Sequence, residues 1–224
     1  MQKDEYSAIE GYMKEKMQDA AHDTHHIYRV LNGALDIANH ETGIDLDVLI
    51  AACLLHDIGR EDQFKNPALC HAQVGAKMAY EYLIARGWSQ EKALCVKDCI
   101  AAHRYRSNAT PQSIEAKILF DADKLEATGL IGIARTLIYQ GIVAMPLYVM
   151  DDGGEIISDY APGEDEASFI QEYNFKLKNI YEVFYTNRAK EIAISRQQAA
   201  IDFYSNLYNE ITQSHHVDIT KHLG

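Results

Sequence analysis

The sequence predicts an all-α fold, and three observations indicate it. Apolar residues recur at three- and four-residue spacing through nearly every segment, which is the period of a helix with one buried face. The chain has only four prolines, and few of them fall inside these periodic segments. Residues that start or stop helices separate neighbouring segments. The predicted helices span residues 4–20, 24–41, 45–57, 68–86, 89–103, 111–128, 129–140, 165–186 and 188–212.

Several helix boundaries are marked by residues with a known structural preference. Asp23 and Thr24 can cap the second helix, and Gly43 ends it. Gly59 suits a left-handed position after the third helix, and Gly87 closes the fourth. The alternation of periodic segments with these residues predicts a helical bundle without a repeat or a low-complexity linker.

One segment, residues 141–164, departs from the helical pattern. Residues 147–150 and 155–157 are apolar and flank the acidic, glycine-containing sequence 151–154, which predicts a short hairpin. This insertion could form a flap over a pocket or an acidic surface excursion. We favour the surface excursion, because insertions are commonest where they disturb nothing.

Length, charge and hydropathy exclude several classes of protein. A chain of 224 residues is long enough for a sizeable core and predicts a single domain, 1–224. The net charge of −12 argues against a nucleic-acid partner and against an anionic membrane surface. The apolar run 48–55 is stopped by His56 before it could cross a bilayer, and no secretory signal precedes it, so we expect a cytoplasmic protein. The four cysteines form no Cys-x-x-Cys motif, and we expect free buried thiols.

The most informative dipeptide is His56-Asp57, which follows the apolar run 48–55 directly. Two ionisable groups at the end of a buried helix would cost several kcal/mol each without partners. A divalent cation is one such partner, and imidazole with carboxylate suits Mn, Fe, Co, Ni or Zn better than Ca. The alternative is a capping pair, in which the helix dipole favours His56.

At two other places in the chain, helical geometry predicts which of two neighbouring polar residues faces the interior. His26 shares a face with apolar residues and is expected to point inward, whereas His25 is expected to face water. Asp123 lies on an apolar face, whereas Asp121 lies beside lysines at helical-neighbour spacing and is expected to form a salt bridge. An inward histidine can also be a core residue that is hydrogen-bonded to backbone, so this reasoning leaves the role of His26 open.

The ordered series His, His-Asp, Asp resembles the HD superfamily of metal-dependent phosphohydrolases. It is most similar to a bacterial subgroup with a His-Asp-x-x-His-x-x-Arg-Val opening, an Asp-Ala-Asp-x-Leu-x-Ala helix and a Gly-Ile-Ala-Arg continuation. These motifs stand here at residues 22–30, 121–127 and 132–135. The predicted C-terminal helices also match the subgroup, at residues 176–177 and at Arg196. The resemblance covers about residues 20–205 and implies an HD-type helical bundle.

The resemblance also implies a set of metal ligands and of supporting residues. The implied ligands of a divalent metal are His26, His56, Asp57 and Asp123. His71 and His103 stand where some relatives bind a second metal, although either could bind phosphate or complement a helix end. His22 and Asp121 would support the ligands, and the roles of Asp121 and Asp123 could be exchanged.

Further charged residues are candidates for catalysis and for substrate binding. Beside Asp57, the acids Glu61 and Asp62 could orient a water or protonate a leaving oxygen, although acids after a helix are commonly a solvated turn. Planar arginines suit phosphate oxygens, although surface salt bridges are the common role of such residues. The candidate phosphate-binding residues are Arg29, Arg60, Lys124, Arg104 and Arg106, with Arg135 and Lys176 added through the resemblance.

The sequence therefore predicts a metal-dependent phosphohydrolase acting on a small phosphorylated molecule, with nucleotides the favoured class. Manganese is the favoured cofactor, with Mg, Co, Ni, Fe or Zn as alternatives. A two-iron oxygenase and a non-catalytic sensor are the alternative functions. A homodimer could form through the tyrosine-rich segments 173–185 and 203–208, unless these cover the core of their own chain.

Overall fold

The structure is a computed structural model, and it describes residues 1–17, 24–104, 110–159 and 168–214. Ten α-helices form within these ranges, and their only β pairing is one isolated antiparallel bridge. The all-α prediction is confirmed. The helices are α1 Lys3–Lys16, α2 Thr24–Ala38, α3 Leu46–Leu55, α4 Arg60–Lys65, α5 His71–Ala85, α6 Gln90–Ala102, α7 Ile114–Leu125, α8 Gly129–Ile142, α9 Phe169–Glu172 and α10 Asn187–Ser214.

The chain divides into two compact units. Unit 1 consists of Met1–Glu126 with Phe184–Lys190, and unit 2 consists of Ala127–Val183 with Glu191–Gly224. Helix α10 begins in unit 1 and continues in unit 2. No described helix is long and apolar enough to cross a membrane.

Unit 1 is built around α3, which packs against α1, α2, α5, α6 and α7. The second half of α3 is buried on all sides, since the run 51–55 is fully buried, and Val48 and Leu49 are at most 3% exposed. The Asp45 carboxylate caps its start by accepting hydrogen bonds from the amides of Asp47 and Val48. A helix that is apolar all round belongs in a core, and α3 thereby carries the residues that follow it, His56 and Asp57, into the interior.

Unit 2 has its own apolar core. Eight buried residues form it, among them Phe169, Tyr173 and Leu177. The predicted hairpin is confirmed by the bridge between Met150 and Ile156, and Ile156 contributes to this core. Residues 160–164 of the predicted insertion lie outside the described ranges.

Three of the tyrosines behind the homodimer prediction pack inside unit 2, whereas Tyr185 belongs to unit 1 and is 40% exposed. Tyr173 and Tyr204 stack with ring centroids 4.1 Å apart, and Tyr208 packs against the same core. These rings therefore cover the core of their own chain, as the alternative interpretation predicted. The homodimer stays a prediction without support from these residues.

The predicted helix 165–186 is wrong in its length. Helix α9 ends at Glu172, a π-helical segment covers Tyr173–Leu177, and a 3-10 turn covers Ile180–Glu182 before α10 begins. The Asp121 carboxylate accepts hydrogen bonds from the backbone amides of Tyr185 and Thr186, which holds this part of the chain outside a continuous helix.

Asp121 itself differs from the expected surface salt bridge. Its side chain is fully buried, and besides the two amides it accepts a hydrogen bond of 2.7 Å from Thr186 Oγ1. Helical periodicity showed the lysines on the same helix, but it could not show that the segment 184–190 returns to α7. Asp121 therefore anchors the start of α10, and no ion pair to it occurs among the described residues.

The predicted glycine positions are partly confirmed. Gly43 and Gly87 have φ of +74° and +87°, as expected for residues that end a helix. The left-handed prediction for Gly59 is wrong: its φ is −91°, because the chain continues directly into the short helix α4, which the sequence reasoning missed. All four cysteines are free as expected, but only Cys53 and Cys99 are buried, whereas Cys70 is half-buried and Cys95 is exposed.

Candidate metal centre

The end of α3 places His56 and Asp57 in the interior of unit 1. Their side chains are 0% and 2% exposed. The His56 Nδ1 atom lies 2.8 Å from the carbonyl oxygen of Cys53, so Nδ1 carries the proton that this oxygen accepts. The other ring nitrogen, Nε2, is then unprotonated and offers its lone pair.

Three more side chains meet His56 from two other helices and from the end of α3. His26 Nε2, from α2, lies 3.4 Å from His56 Nε2 and 3.3 Å from Asp123 Oδ1 of α7. Asp57 Oδ2 lies 3.6 Å from Nε2 of both histidines. We call these four residues the first cluster. They converge as the resemblance implied, and Asp123, not Asp121, reaches the histidines.

The second carboxylate oxygen of Asp57 faces another pair of histidines. Asp57 Oδ1 lies 3.7 Å from His71 Nε2 and 3.6 Å from His103 Nε2. His71 is the first residue of α5, and His103 follows the last residue of α6. We call Asp57, His71 and His103 the second cluster, and Asp57 belongs to both.

All four histidines present the same nitrogen to the clusters because all four Nδ1 atoms are held by an oxygen. His71 Nδ1 lies 2.6 Å from Gln63 Oε1, and His103 Nδ1 lies 2.6 Å from the carbonyl oxygen of Ile100. His26 Nδ1 lies 3.2 Å from Glu126 Oε2. An acceptor at Nδ1 fixes the tautomer whose Nε2 lone pair can bind a metal, and this pairing is typical of metal-ligating histidines.

Burial favours the neutral forms of His56 and His71, and nearby cations favour ionised aspartates. Burial lowers the pKa of His56 to about 4 and, together with Arg60, that of His71 to about 3. Burial raises the pKa of Asp57, but Arg60 and His56 lower it more, so it lies well below its usual range. The same balance, with Lys124 as the main cation, holds the pKa of Asp123 well below its usual range. These are the protonation states that metal ligands need.

One buried atom of the two clusters has no hydrogen-bond partner among the described residues, and this atom tests whether a metal fits the site. Asp57 Oδ1 is buried and accepts no hydrogen bond from any described residue. An unsatisfied buried carboxylate oxygen is costly, and four unprotonated imidazole nitrogens nearby offer it no proton. A divalent cation would satisfy the oxygen and the nitrogens together, so the donor set fits a metal.

The predicted phosphate-binding cations have different positions. Arg60 Nε lies 2.5 Å from Asp57 Oδ2 and Lys124 Nζ lies 2.5 Å from Asp123 Oδ2, so both stand at the first cluster. Arg29 pairs with Glu126 at 2.8 Å, and Arg104 donates a hydrogen bond to the sulfur of Cys70. The remaining candidates are Arg135 and Lys176, which belong to unit 2, and Arg106, which lies outside the described residues.

The two acids after the His-Asp pair lie on α4. Glu61 is 43% exposed and pairs with Lys65 at 2.5 Å instead of with a cluster residue. Asp62 is half-buried on the first turn of the same helix. Their catalytic role stays a prediction. His25 is exposed as expected, whereas His22 and Asp23 lie outside the described residues.

Sequence reasoning missed the residues that hold the histidines. Glu126 follows the last residue of α7 and lies three positions after Asp123, and Gln63 lies one turn into α4. The spacing of Glu126 from Asp123 put both on one helix face, and this could have suggested a shared role. The backbone carbonyls of Cys53 and Ile100 have no sequence signature at all.

The approach of His71 to Asp57 depends on Gly59. A Cβ atom on Gly59 would lie 2.4 Å from the His71 carbonyl oxygen and 2.6 Å from the Gly75 amide nitrogen, and both are backbone atoms of α5. We expect Gly59→Ala to displace α5 and to lower the free energy of unfolding by about 1–3 kcal/mol, measured by urea denaturation.

Gly11→Ala is the matched control for this substitution. Gly11 lies inside α1, and a Cβ atom added to it would meet no neighbouring atom within 4 Å. Alanine there should stabilise the protein by about 0.5–1 kcal/mol, because glycine is the poorer helix former. A Gly59→Ala protein as stable as wild type would contradict the tight contact between α4 and α5.

Residues 24–128 match the family model of the HD domain. The matched range begins at the first residue of α2 and contains all six cluster residues. The resemblance to the HD superfamily that the sequence indicated is therefore confirmed over this range.

Named relatives extend this similarity over most of the chain. The uncharacterized protein YpgQ of Bacillus subtilis is 29% identical over 198 residues, which cover 87% of this chain and 86% of YpgQ. A crystal structure of YpgQ has a TM-score of 0.71 at 25% identity and covers 93% of this chain and 96% of its own.

Two relatives of known structure are described as hydrolases. An HD-superfamily hydrolase from Bacillus thuringiensis is 27% identical, with a TM-score of 0.68 over 92% of this chain and 96% of its own. A predicted HD superfamily hydrolase from an uncultured Thermotogales bacterium is 28% identical, with a TM-score of 0.61 over 91% of each chain.

Proposed function

We propose that this protein is a metal-dependent phosphohydrolase acting on a small phosphorylated molecule, with nucleotides the favoured substrate class. One observation carries the proposal: four imidazole Nε2 atoms and two aspartates converge in the interior, and the Asp57 Oδ1 atom there has no hydrogen-bond partner among the described residues. Relatives described as HD superfamily hydrolases support the reaction class.

His26, His56, Asp57 and Asp123 would hold one divalent ion, and His71 and His103 would hold a second that shares Asp57. Nitrogen and carboxylate ligands favour manganese or another transition metal over calcium. Such an ion, when bound, lowers the pKa of a coordinated water and polarises a phosphoryl oxygen.

The protein's own residues would orient the substrate and hold the protons in place. The Nδ1–H groups of His56 and His103 donate to backbone carbonyl oxygens, so neither imidazole competes as a proton donor toward the cluster. Arg60, which is 42% exposed, and Lys124 stand at the carboxylates and would neutralise phosphate charge. Arg104 would add a further positive charge, and Glu61 or Asp62 would orient the water or protonate the leaving oxygen.

Nucleotides are the favoured class because of the relative YpgQ. That protein has been crystallised in complex with ADP, and it shares 29% of its residues with this chain over the matched region. An HD-domain site flanked by arginines suits the charge of a nucleotide phosphate chain. We therefore propose that this chain also accepts a nucleotide.

The test is a phosphate-release screen with the purified protein. Nucleoside mono-, di- and triphosphates are incubated with Mn, Co, Ni or Mg, beside a chelated control. We expect metal-dependent release of orthophosphate or pyrophosphate from at least one nucleotide, and the product identifies the bond cleaved. Absence of release from every nucleotide with every metal would contradict the proposed function.

The second cluster favours one alternative, a two-iron oxygenase. Asp57 directs one oxygen toward each group of histidines, which is the arrangement that two neighbouring metal ions require. Iron content after anaerobic purification, with oxygen consumption in the presence of candidate substrates, separates this alternative from hydrolysis. Oxygen uptake by the iron-loaded protein would favour the oxygenase.

A further inference from the structure

Glu126 is a buried carboxylate that neither the motif nor the predicted phosphate-binding set includes. It is 6% exposed and follows the last residue of α7. Its Oε2 atom lies 3.2 Å from His26 Nδ1 and 2.8 Å from Arg29 Nε. One carboxylate oxygen therefore joins a histidine of the first cluster to an arginine.

We propose that Glu126 is a positioning residue for the metal site, acting through His26, and that Arg29 acts through Glu126. This inference rests on the proposed metal centre. Glu126 would fix the His26 tautomer, orient the ring and increase the electron density on Nε2, as carboxylates do beside metal-ligating histidines.

The other three histidines show why this carboxylate is distinctive. The Nδ1 atoms of His56 and His103 face backbone carbonyl oxygens, and that of His71 faces a glutamine oxygen. All three acceptors are neutral, whereas the Nδ1 acceptor of His26 is charged. The contact of His26 with Glu126 is the longest of the four, at 3.2 Å, but its acceptor carries a full negative charge, so His26 would be the most basic nitrogen ligand of the four.

The charge on Glu126 is supported by its neighbours. The Nε–H of Arg29 donates to the Glu126 Oε2 atom at 2.8 Å, and this charge-assisted hydrogen bond from a guanidinium favours the ionised carboxylate. The Arg29 side chain that holds Glu126 in this way is 35% exposed. The role predicted for Arg29 thereby changes from binding substrate to holding Glu126 ionised and in place.

The direct test is metal affinity without substrate. Glu126→Gln keeps the shape and an acceptor oxygen but removes the charge. Titration of Mn²⁺ into metal-free protein should show affinity about 10–100-fold weaker than wild type. Affinity within twofold of wild type, in a variant with a wild-type circular dichroism spectrum, would overturn the proposal.

Glu115→Gln is the matched control on the same helix. Glu115 is also a buried carboxylate, but it accepts a hydrogen bond from the Asp45 amide and contacts no cluster residue among those described. It should lower stability and leave Mn²⁺ affinity unchanged. Equal loss of affinity in both variants would mean that any buried charge on α7 matters, and this would overturn a specific role for Glu126.

The role of Arg29 is tested by non-additivity. Arg29→Gln should weaken Mn²⁺ binding, and the double variant Arg29→Gln/Glu126→Gln should bind no more weakly than Glu126→Gln alone. If Arg29→Gln leaves Mn²⁺ affinity unchanged, Arg29 does not act through Glu126.

A spectroscopic measurement follows the tautomer itself. In ¹⁵N spectra of metal-free wild type, His26 should show a protonated Nδ1 and an unprotonated Nε2, and Glu126→Ala should give both tautomers. A protonated Nε2 in wild type would overturn the proposal. Because Mn²⁺ titration and these spectra need no turnover, the proposal can stand when the phosphate-release screen fails, and can fail when the screen succeeds.

Discussion

Asp57→Asn is expected to abolish metal binding and turnover together. Asp57 is the one residue that contributes an oxygen to both clusters, and its amide replacement removes the negative charge that compensates a cation. We expect a loss of at least about a thousandfold in the rate of phosphate release, equivalent to about 4 kcal/mol of transition-state stabilisation. The measurements are Mn²⁺ titration and initial rates with the best nucleotide from the screen.

Asp98→Asn provides the control, because Asp98 is exposed on α6 and an exposed amide substitution changes stability by less than about 0.5 kcal/mol. It should retain wild-type metal affinity and rate. An Asp57→Asn protein that is folded and hydrolyses its substrate at the wild-type rate would contradict the metal centre. A variant that loses ligand affinity when the wild type itself shows no turnover would favour the sensor.

The metal-free protein is expected to lose stability as the pH falls from about 6.5 to about 4. The pKa of His56 is about 4 in the folded protein against 6.5 ordinarily, so the unfolded chain binds more protons between these values. Stability therefore rises with pH across this window and is lost on acidification. The His56 shift alone is worth on the order of 3 kcal/mol, and His71, whose pKa is about 3, adds in the same direction.

Urea unfolding at several pH values measures this dependence. His71→Gln should flatten the pH dependence, whereas His25→Gln should not, because His25 is exposed. Stability that stays constant between pH 6.5 and pH 4 would contradict the buried neutral histidines. The lowered pKa values of Asp57 and Asp123 act in the same direction, but only at lower pH.

The sequence was informative about the fold because helical periodicity is a local property. The boundaries of α2 and α8 lie within a few residues of those predicted, and the hairpin bridge at Met150 falls in the predicted insertion. The π-helical segment 173–177 and the break before α10 could not be predicted in this way. The break before α10 depends on Asp121, whose partners lie 64 and 65 positions further along the chain.

The candidate site was likewise predictable from the sequence only in part. The series His26, His56-Asp57 and Asp123 was visible because each member stands at the polar edge of an apolar run, and the structure brings all four together. The i,i+4 pairing of Glu61 with Lys65 was missed because α4 was not predicted, and most of the groups that hold the Nδ1 atoms were not visible. Hydrogen bonds from a ring nitrogen to a carbonyl or to a side chain on another helix leave no periodic signal in a sequence.

The most direct test of the metal centre is the anomalous diffraction of crystals grown with Mn²⁺. We expect an anomalous peak that marks one Mn²⁺ ion. This ion should lie about 2.0–2.3 Å from Nε2 of His26 and His56 and from carboxylate oxygens of Asp57 and Asp123. An Mn²⁺ ion bound elsewhere, with these four side chains holding no metal, would contradict the account.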